Sequence, residues 1–154
     1  MTKYLIVILL SMVPIIELRG AVPVAIGYGM DPLAALVVCM LSNMVPVPII
    51  YFFARKFLLW GSKQRLIGSI CTFFVKKGER AGQKLVQKTG RGGLFMALFL
   101  FVGIPIPGTG AWTGTLAASF LNMGFRSTVA AVSSGILLAG IIMGTASLAV
   151  FGVI

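Results

Sequence analysis

The sequence predicts an all-α integral membrane protein of two inverted repeats. Each repeat is a re-entrant helical hairpin followed by one transmembrane helix, and a basic amphipathic cytoplasmic segment joins them. Three observations lead there. Charged residues are 10% of the 154 residues and hydrophobic ones 58%, whereas soluble domains run about 25% charged. Two charge-free stretches, Pro32–Ala54 and Ser127–Ile154, are each long enough to cross about 30 Å of hydrocarbon at about 1.5 Å per residue. Four shorter apolar pieces, Tyr4–Ile16, Gly20–Met30, Gly93–Ile106 and Gly110–Met123, form two pairs, each joined by a Pro/Gly-rich apex. Segments of about 10–14 residues are too short to span and suit re-entrant limbs.

The elements follow in order within one membrane domain, 1–154. Residues 1–54 hold the first hairpin and span. Lys3 and the apolar run after it resemble a signal peptide, but Glu17-Leu18-Arg19 interrupts the run and no cleavage site follows, so cleavage is not expected. Pro14 and Pro23 flank the first apex, VPIIELRGAVP. Asp31 precedes Pro32 and reads as the N-cap of the span. Asn43 lies inside that span, where an amide can bond across helices, and Pro46 and Pro48 kink its end. Tyr28, Tyr51 and Trp60 read as interfacial anchors.

Residues 55–92 form the basic segment, and 93–154 the second hairpin and span, with apex GIPIPGTGAWTG. Arg19-Gly20-Ala21 corresponds to Thr109-Gly110-Ala111, Gly29 to Gly124, and Leu33–Leu36 to Val129–Val132. A unit with an odd number of crossings inverts its successor, the plan of many secondary transporters. The competing topology draws each hairpin as one long helix, giving four plain spans. Pro105 and Pro107 at alternate positions favour hairpins, because each removes a donor and disfavours helix before it. Apices without helix must be buried in protein or line a polar cavity.

Ten of the thirteen basic residues lie between Arg55 and Arg91. One basic connecting segment reads as cytoplasmic in either topology; the hairpin topology then puts both termini outside, the four-span topology reverses this, and the +10 net charge meets anionic lipid headgroups, not nucleic acid. Leu66, Ile70 and Phe73 have helical spacing, and Arg80, Lys84 and Lys88 recur at every fourth position. One or two interfacial amphipathic helices are expected there, with Gly90–Gly93 as a flexible entry to the second hairpin. Histidine is absent, and Cys39 and Cys71 lack metal-ligand spacing. With three acidic residues and no nucleophile–base set, neither an enzyme nor a bound metal or cofactor is expected.

The candidate site centres on Glu17 and Arg19. A charge at membrane depth costs about 2.5–3.5 kcal/mol on insertion scales and marks function by default. Arg19 offers a planar fork of donors to a phosphate or carboxylate. Helices beginning near Gly20 and Gly110 would aim free N–H groups at the same anion. Thr109 and Thr113 add hydroxyls, and Trp112 a stacking face. Pro23, Pro105, Pro107 and Gly108 shape the two apices. Glu17 is the candidate for proton coupling, able to neutralise Arg19 or take up a proton. The bland alternative is an ion pair that closes the hairpin.

At ELRGAVP and PIPGTGAWTG the sequence resembles the small multidrug export protein family, itself similar in plan to the DedA (VTT-domain) superfamily. The resemblance covers nearly the whole chain. It implies two facing re-entrant hairpins and translocation of polyprenyl phosphates or phospholipids, with Glu17 as the first-hairpin carboxylate. The second hairpin of that superfamily carries arginines, and none lies between Gly93 and Phe125. The expected protein is therefore a small inner-membrane transporter of an amphipathic, phosphate-headed substrate, working as a homodimer. The alternatives are export of cationic drugs and a non-transporting role in organising the membrane.

Overall fold

The computed structural model describes residues 2–14, 16–64, 68–106 and 109–151. Helices α1 (Thr2–Met12) and α2 (Glu17–Gly27) form a first pair, and α3 (Pro32–Met44) and α4 (Pro46–Gly61) follow end to end. Helix α5 (Gly68–Gly103) carries most of the basic segment, and α6 (Ala111–Phe120) and α7 (Phe125–Phe151) complete the chain. No strand occurs among the described residues. Three helical stretches are long and apolar enough to cross a membrane: Pro32–Gly61, Gly68–Gly103 and Phe125–Val150. Helices α1, α2 and α6 have 11, 11 and 10 residues, about 15–16 Å each, half of the hydrocarbon thickness.

Several boundaries differ from the sequence expectation. The first span is two helices, because Pro46 and Pro48 lack the N–H that would carry α3 onward. Helix α4 then runs past Ala54 to Gly61, taking Arg55 and Lys56 with it. The basic segment does not fold separately from the second hairpin. It is continuous with the hairpin's first limb in α5, which bends at Gly90 (φ 70°) and resumes helix at once. Leu66 lies outside the described residues. Asp31 does cap α3, its carboxylate accepting from the Ala34 N–H at 2.9 Å with Pro32 at the first helical position.

Two turns share one hydrogen-bond pattern. After α2, the N–H groups of Tyr28, Gly29 and Met30 donate to the carbonyls of Val24, Ile26 and Ala25. After α6, Leu121, Asn122 and Met123 donate to Ala117, Ser119 and Ala118. Both are Schellman caps, with Gly29 (φ 70°) and Asn122 (φ 56°) in the left-handed position. Each ends on a buried methionine, Met30 or Met123, facing a buried alanine, Ala25 or Ala118. Gly29 therefore matches Asn122, not Gly124 as the sequence spacing indicated. Asparagine substitutes for glycine because its short polar side chain tolerates this conformation.

Along the α3–α4 rod, the first turn sits at the start and the second beside Tyr51, ten residues before the end at Gly61. The Lys3 Nζ donates to the Tyr28 carbonyl at 2.6 Å, which holds the start of α1 beside the first turn. At the second turn, the Arg55 guanidinium donates to Asn122 Oδ1 and the Tyr51 hydroxyl to the Met123 carbonyl. Tyr51 is thus buried at 4% exposure, not an interfacial anchor. Its hydroxyl finds its acceptor inside the protein. Asp31 and Tyr51 are about 30 Å apart along the rod at 1.5 Å per residue. Helices α2 and α6 run inward from the two turns and meet N-terminus to N-terminus between them. Helix α2 packs on α3 and α7, and α6 on α4 and α5. Leu18 and Val22 of α2 enter one core with Val102 of α5 and Val132 and Ile136 of α7.

Candidate functional site

The two charges of the first apex do not pair with each other. Each crosses to the second apex. Glu17 Oε1 accepts the Trp112 N–H at 3.0 Å, and Oε2 accepts the Ala111 N–H at 3.2 Å. These are the first N–H groups of α6, which have no acceptor within that helix. Gly110, at the N-cap, has no side chain to serve them. Glu17 caps α6 from another helix, and its negative charge lies at the positive end of the α6 dipole. A Cβ on Gly110 would overlap the Glu17 carboxylate. Glu17 itself is 5% exposed, and its backbone is left-handed at φ 47°, which costs a non-glycine residue about 1–2 kcal/mol.

Arg19 holds the other side of the apex. Its guanidinium donates to the Ile106 carbonyl, to the Ile104 carbonyl at 3.2 Å and to Thr109 Oγ1 at 2.7 Å. The cation therefore lies against the carbonyls that leave α5, and the anion against the N–H groups that enter α6. Trp112 adds a third tie, its indole N–H donating to the Met12 carbonyl at 3.1 Å.

Other expected site residues fall differently. The start of α2 offers no N–H fan at Gly20: the Gly20 N–H donates to Ile16 and the Glu17 N–H to Val13. The carbonyls of Val13 and Ile16 take up those donors. Pro23 lies inside α2, about 9 Å along the axis from Glu17, and Pro105 is half-buried in the apex. Thr113 is exposed, with Oγ1 3.5 Å from the Gly110 carbonyl of its own helix. Pro107 and Gly108 lie outside the described residues.

Asn43 was expected to bond across helices. It is 2% exposed, yet its Oδ1 has no hydrogen-bond partner. It lines a cavity of about 10 Å³ together with Glu17, Arg19, Gly110 and Ala111, room for about one water. A buried acceptor left unpaired costs about 1–3 kcal/mol. Asn43→Leu should therefore keep or raise the thermal midpoint. A clear fall in a detergent melting curve would show that the amide is satisfied in the fold.

A family model described as a putative small multi-drug export protein matches residues 17–142. The chain belongs to this family. The match opens on Glu17, the residue that caps α6, and takes in both apices and most of α7. No curated protein and no solved structure matches the chain. The family's description and the three apolar helices together make this a small export protein of a membrane.

Proposed function

We propose that this member of the small multi-drug export family is a transporter, not an enzyme, that moves a phosphate-headed amphiphile such as a polyprenyl phosphate or phospholipid. One observation carries the reading: an internal carboxylate occupies an anion seat where the N-termini of α2 and α6 meet. A substrate phosphate has the charge and acceptor oxygens to take the place of Glu17 on the Ala111 and Trp112 N–H groups. Arg19 and Thr109 border that seat.

Proton coupling follows from the same seat. A protonated Glu17 is a poorer acceptor for two N–H groups, and its O–H needs an acceptor of its own. Asn43 Oδ1 lies unpaired in the adjoining cavity. Glu17 would change places with substrate as it changes protonation.

The matched Schellman turns and the cross-packing of α2 on α7 and α6 on α4 support inverted, re-entrant repeats of DedA-like plan. Lys3 at the first turn and the basic segment at the second support outer termini and a cytoplasmic 55–92 in an inner membrane. Exposed Leu33, Ile49, Phe53 and Ile141 leave apolar surface for lipid and for a second copy in a homodimer.

The test is purified protein in vesicles carrying a fluorescent polyprenyl phosphate. Wild type should equilibrate the label across the bilayer faster than empty vesicles, and a pH gradient should bias it. Glu17→Gln should lose the bias. Lipid exchange at the empty-vesicle rate, with Glu17-dependent uptake of a lipophilic cation, would replace this reading with cationic-drug export.

A further inference from the structure

A further cavity lies at the second turn, and Glu17 is not part of its lining. Its volume is about 570 Å³, within the range of about 300–1,000 Å³ for small-molecule sites. Helix α5 makes it. At Gly78 and Gly82 the helix lies directly on the C-terminal end of α6, where a Cβ would strike the Phe120 or Leu121 carbonyl. At Gly90 it bends. Between contact and bend, α5 arches over the α6–α7 turn.

The face that α5 turns inward differs from the one it turns out. Glu79, Gln83, Val86, Gln87 and Arg91 line the chamber at helical spacing, opposite Asn122 and Ser127. Arg80, Lys84 and Lys88 are absent from the lining, while Gln83, Gln87 and Arg91 line it and are also exposed, so the chamber is open to its surroundings. No lysine enters the chamber. Glu79 shares a smaller cavity with Arg55, so a cation already stands near it. Arg91 lies twelve residues further along α5, about 18 Å at 1.5 Å per residue. No other described acidic residue lines the chamber. Among the described residues, Glu79 and Arg91 are thus the two charged residues of the lining, and Arg91 is its one cation.

A second cavity of about 160 Å³ adjoins the chamber and shares Leu94, Leu121 and Met123 with it. Its other walls are Leu85, Ala97, Leu98, Phe101, Ala117 and Ala118, all apolar. Leu85, Ala97 and Phe101 are exposed, so this slot opens on the outer surface of α5. A chamber of mixed polar and apolar walls that include Arg91, bordered across Leu94, Leu121 and Met123 by an apolar slot, offers one surface to each end of an amphiphile.

We infer that chamber and slot together bind one anionic phospholipid of the surrounding bilayer, its phosphate at Arg91 among Gln87, Asn122 and Ser127, and one acyl chain in the slot. The site is separate from the Glu17–Thr109 cluster and does not require that the lipid be transported.

Native mass spectrometry of wild type titrated with dioleoylphosphatidylglycerol and, separately, dioleoylphosphatidylcholine tests this. Wild type should retain one phosphatidylglycerol in preference to phosphatidylcholine. Arg91→Gln, which removes the charge, and Ala97→Phe, which fills the slot from an exposed position, should each weaken retention by about tenfold or more. The triple variant Arg80→Gln, Lys84→Gln, Lys88→Gln should retain it. Melting curves establish that each variant is folded. Loss in the triple variant with retention in Arg91→Gln would mean adsorption to the outer stripe and overturn the inference. So would displacement by glycerol phosphate at equal concentration, since a bare head group would then suffice. Loss in Arg19→Ala alone would place the lipid at the central cluster, against this inference and for the transport reading.

Discussion

Arg19→Ala should lower the melting temperature of the purified protein by roughly 4–16 °C. The guanidinium holds three acceptors of the second apex: the Ile104 and Ile106 carbonyls and Thr109 Oγ1. A hydrogen bond to a charged group contributes about 1.5–3 kcal/mol, and a buried acceptor left alone costs about 1–3 kcal/mol. Arg19 is only half-buried, so water screens part of this, and a net loss of about 2–4 kcal/mol is expected. At about 2–4 °C per kcal/mol for a chain of this size, that gives the stated shift. Arg19→Lys should recover less than half, because one ammonium cannot reproduce a planar fork across three acceptors. A melting curve of Arg19→Ala that overlays wild type would mean the clasp does not hold the apex.

Gly110→Ala should have an effect of similar size by evicting the anion instead of removing the cation. The added methyl would overlap the Glu17 carboxylate, leaving the Ala111 and Trp112 N–H groups without an acceptor. The expected loss is about 2–4 kcal/mol, read as a lower melting temperature. The sharper readout is non-additivity. In a Glu17→Ala background the seat is already empty, so adding Gly110→Ala should cost little further. A double-mutant cycle should show coupling of about 1–3 kcal/mol. If the two losses simply add, the methyl acts elsewhere and Glu17 is not seated as described.

The sequence made the helical membrane fold, the half-length first pair and the prominence of Glu17 and Arg19 readable, because charge is scarce enough for each charged residue to stand out, whereas the first limb of the second pair is part of the 36-residue α5. Asp31 before Pro32 was equally plain, since a cap is a local event. What the pattern hid was direction. Nothing in ELRGAVP says that Glu17 and Arg19 reach residues roughly 85 to 95 positions away instead of each other. Local periodicity carries no information on that pairing. The match of Gly29 to Asn122 was hidden for a related reason: the turn is defined by backbone hydrogen bonds and a left-handed residue, and two different residue types satisfy it. Tyr51 misled because an aromatic hydroxyl can find a headgroup or a buried carbonyl with the same chemistry. The chamber under α5 depends on Gly78 and Gly82 touching the end of α6, a contact between segments about forty residues apart.

The cross-clasp also sets an order of events during synthesis. Glu17 and Arg19 leave the ribosome long before Ile104, Thr109 and Trp112 exist, and every partner of their side chains lies in that later segment. At about 5–20 residues per second the delay is on the order of 5–20 s. Through that interval the first hairpin carries a carboxylate and a guanidinium without the hydrogen-bond partners of the finished fold, and an intramembrane charge costs about 2.5–3.5 kcal/mol on insertion scales. The nascent hairpin must therefore wait in a polar shelter, such as the lateral mouth of the insertion machinery. It is released to lipid only when the second apex arrives. Chains stalled with Trp112 still inside the ribosome should crosslink from position 18 to that machinery, and chains stalled well beyond it should crosslink to α7 of their own sequence.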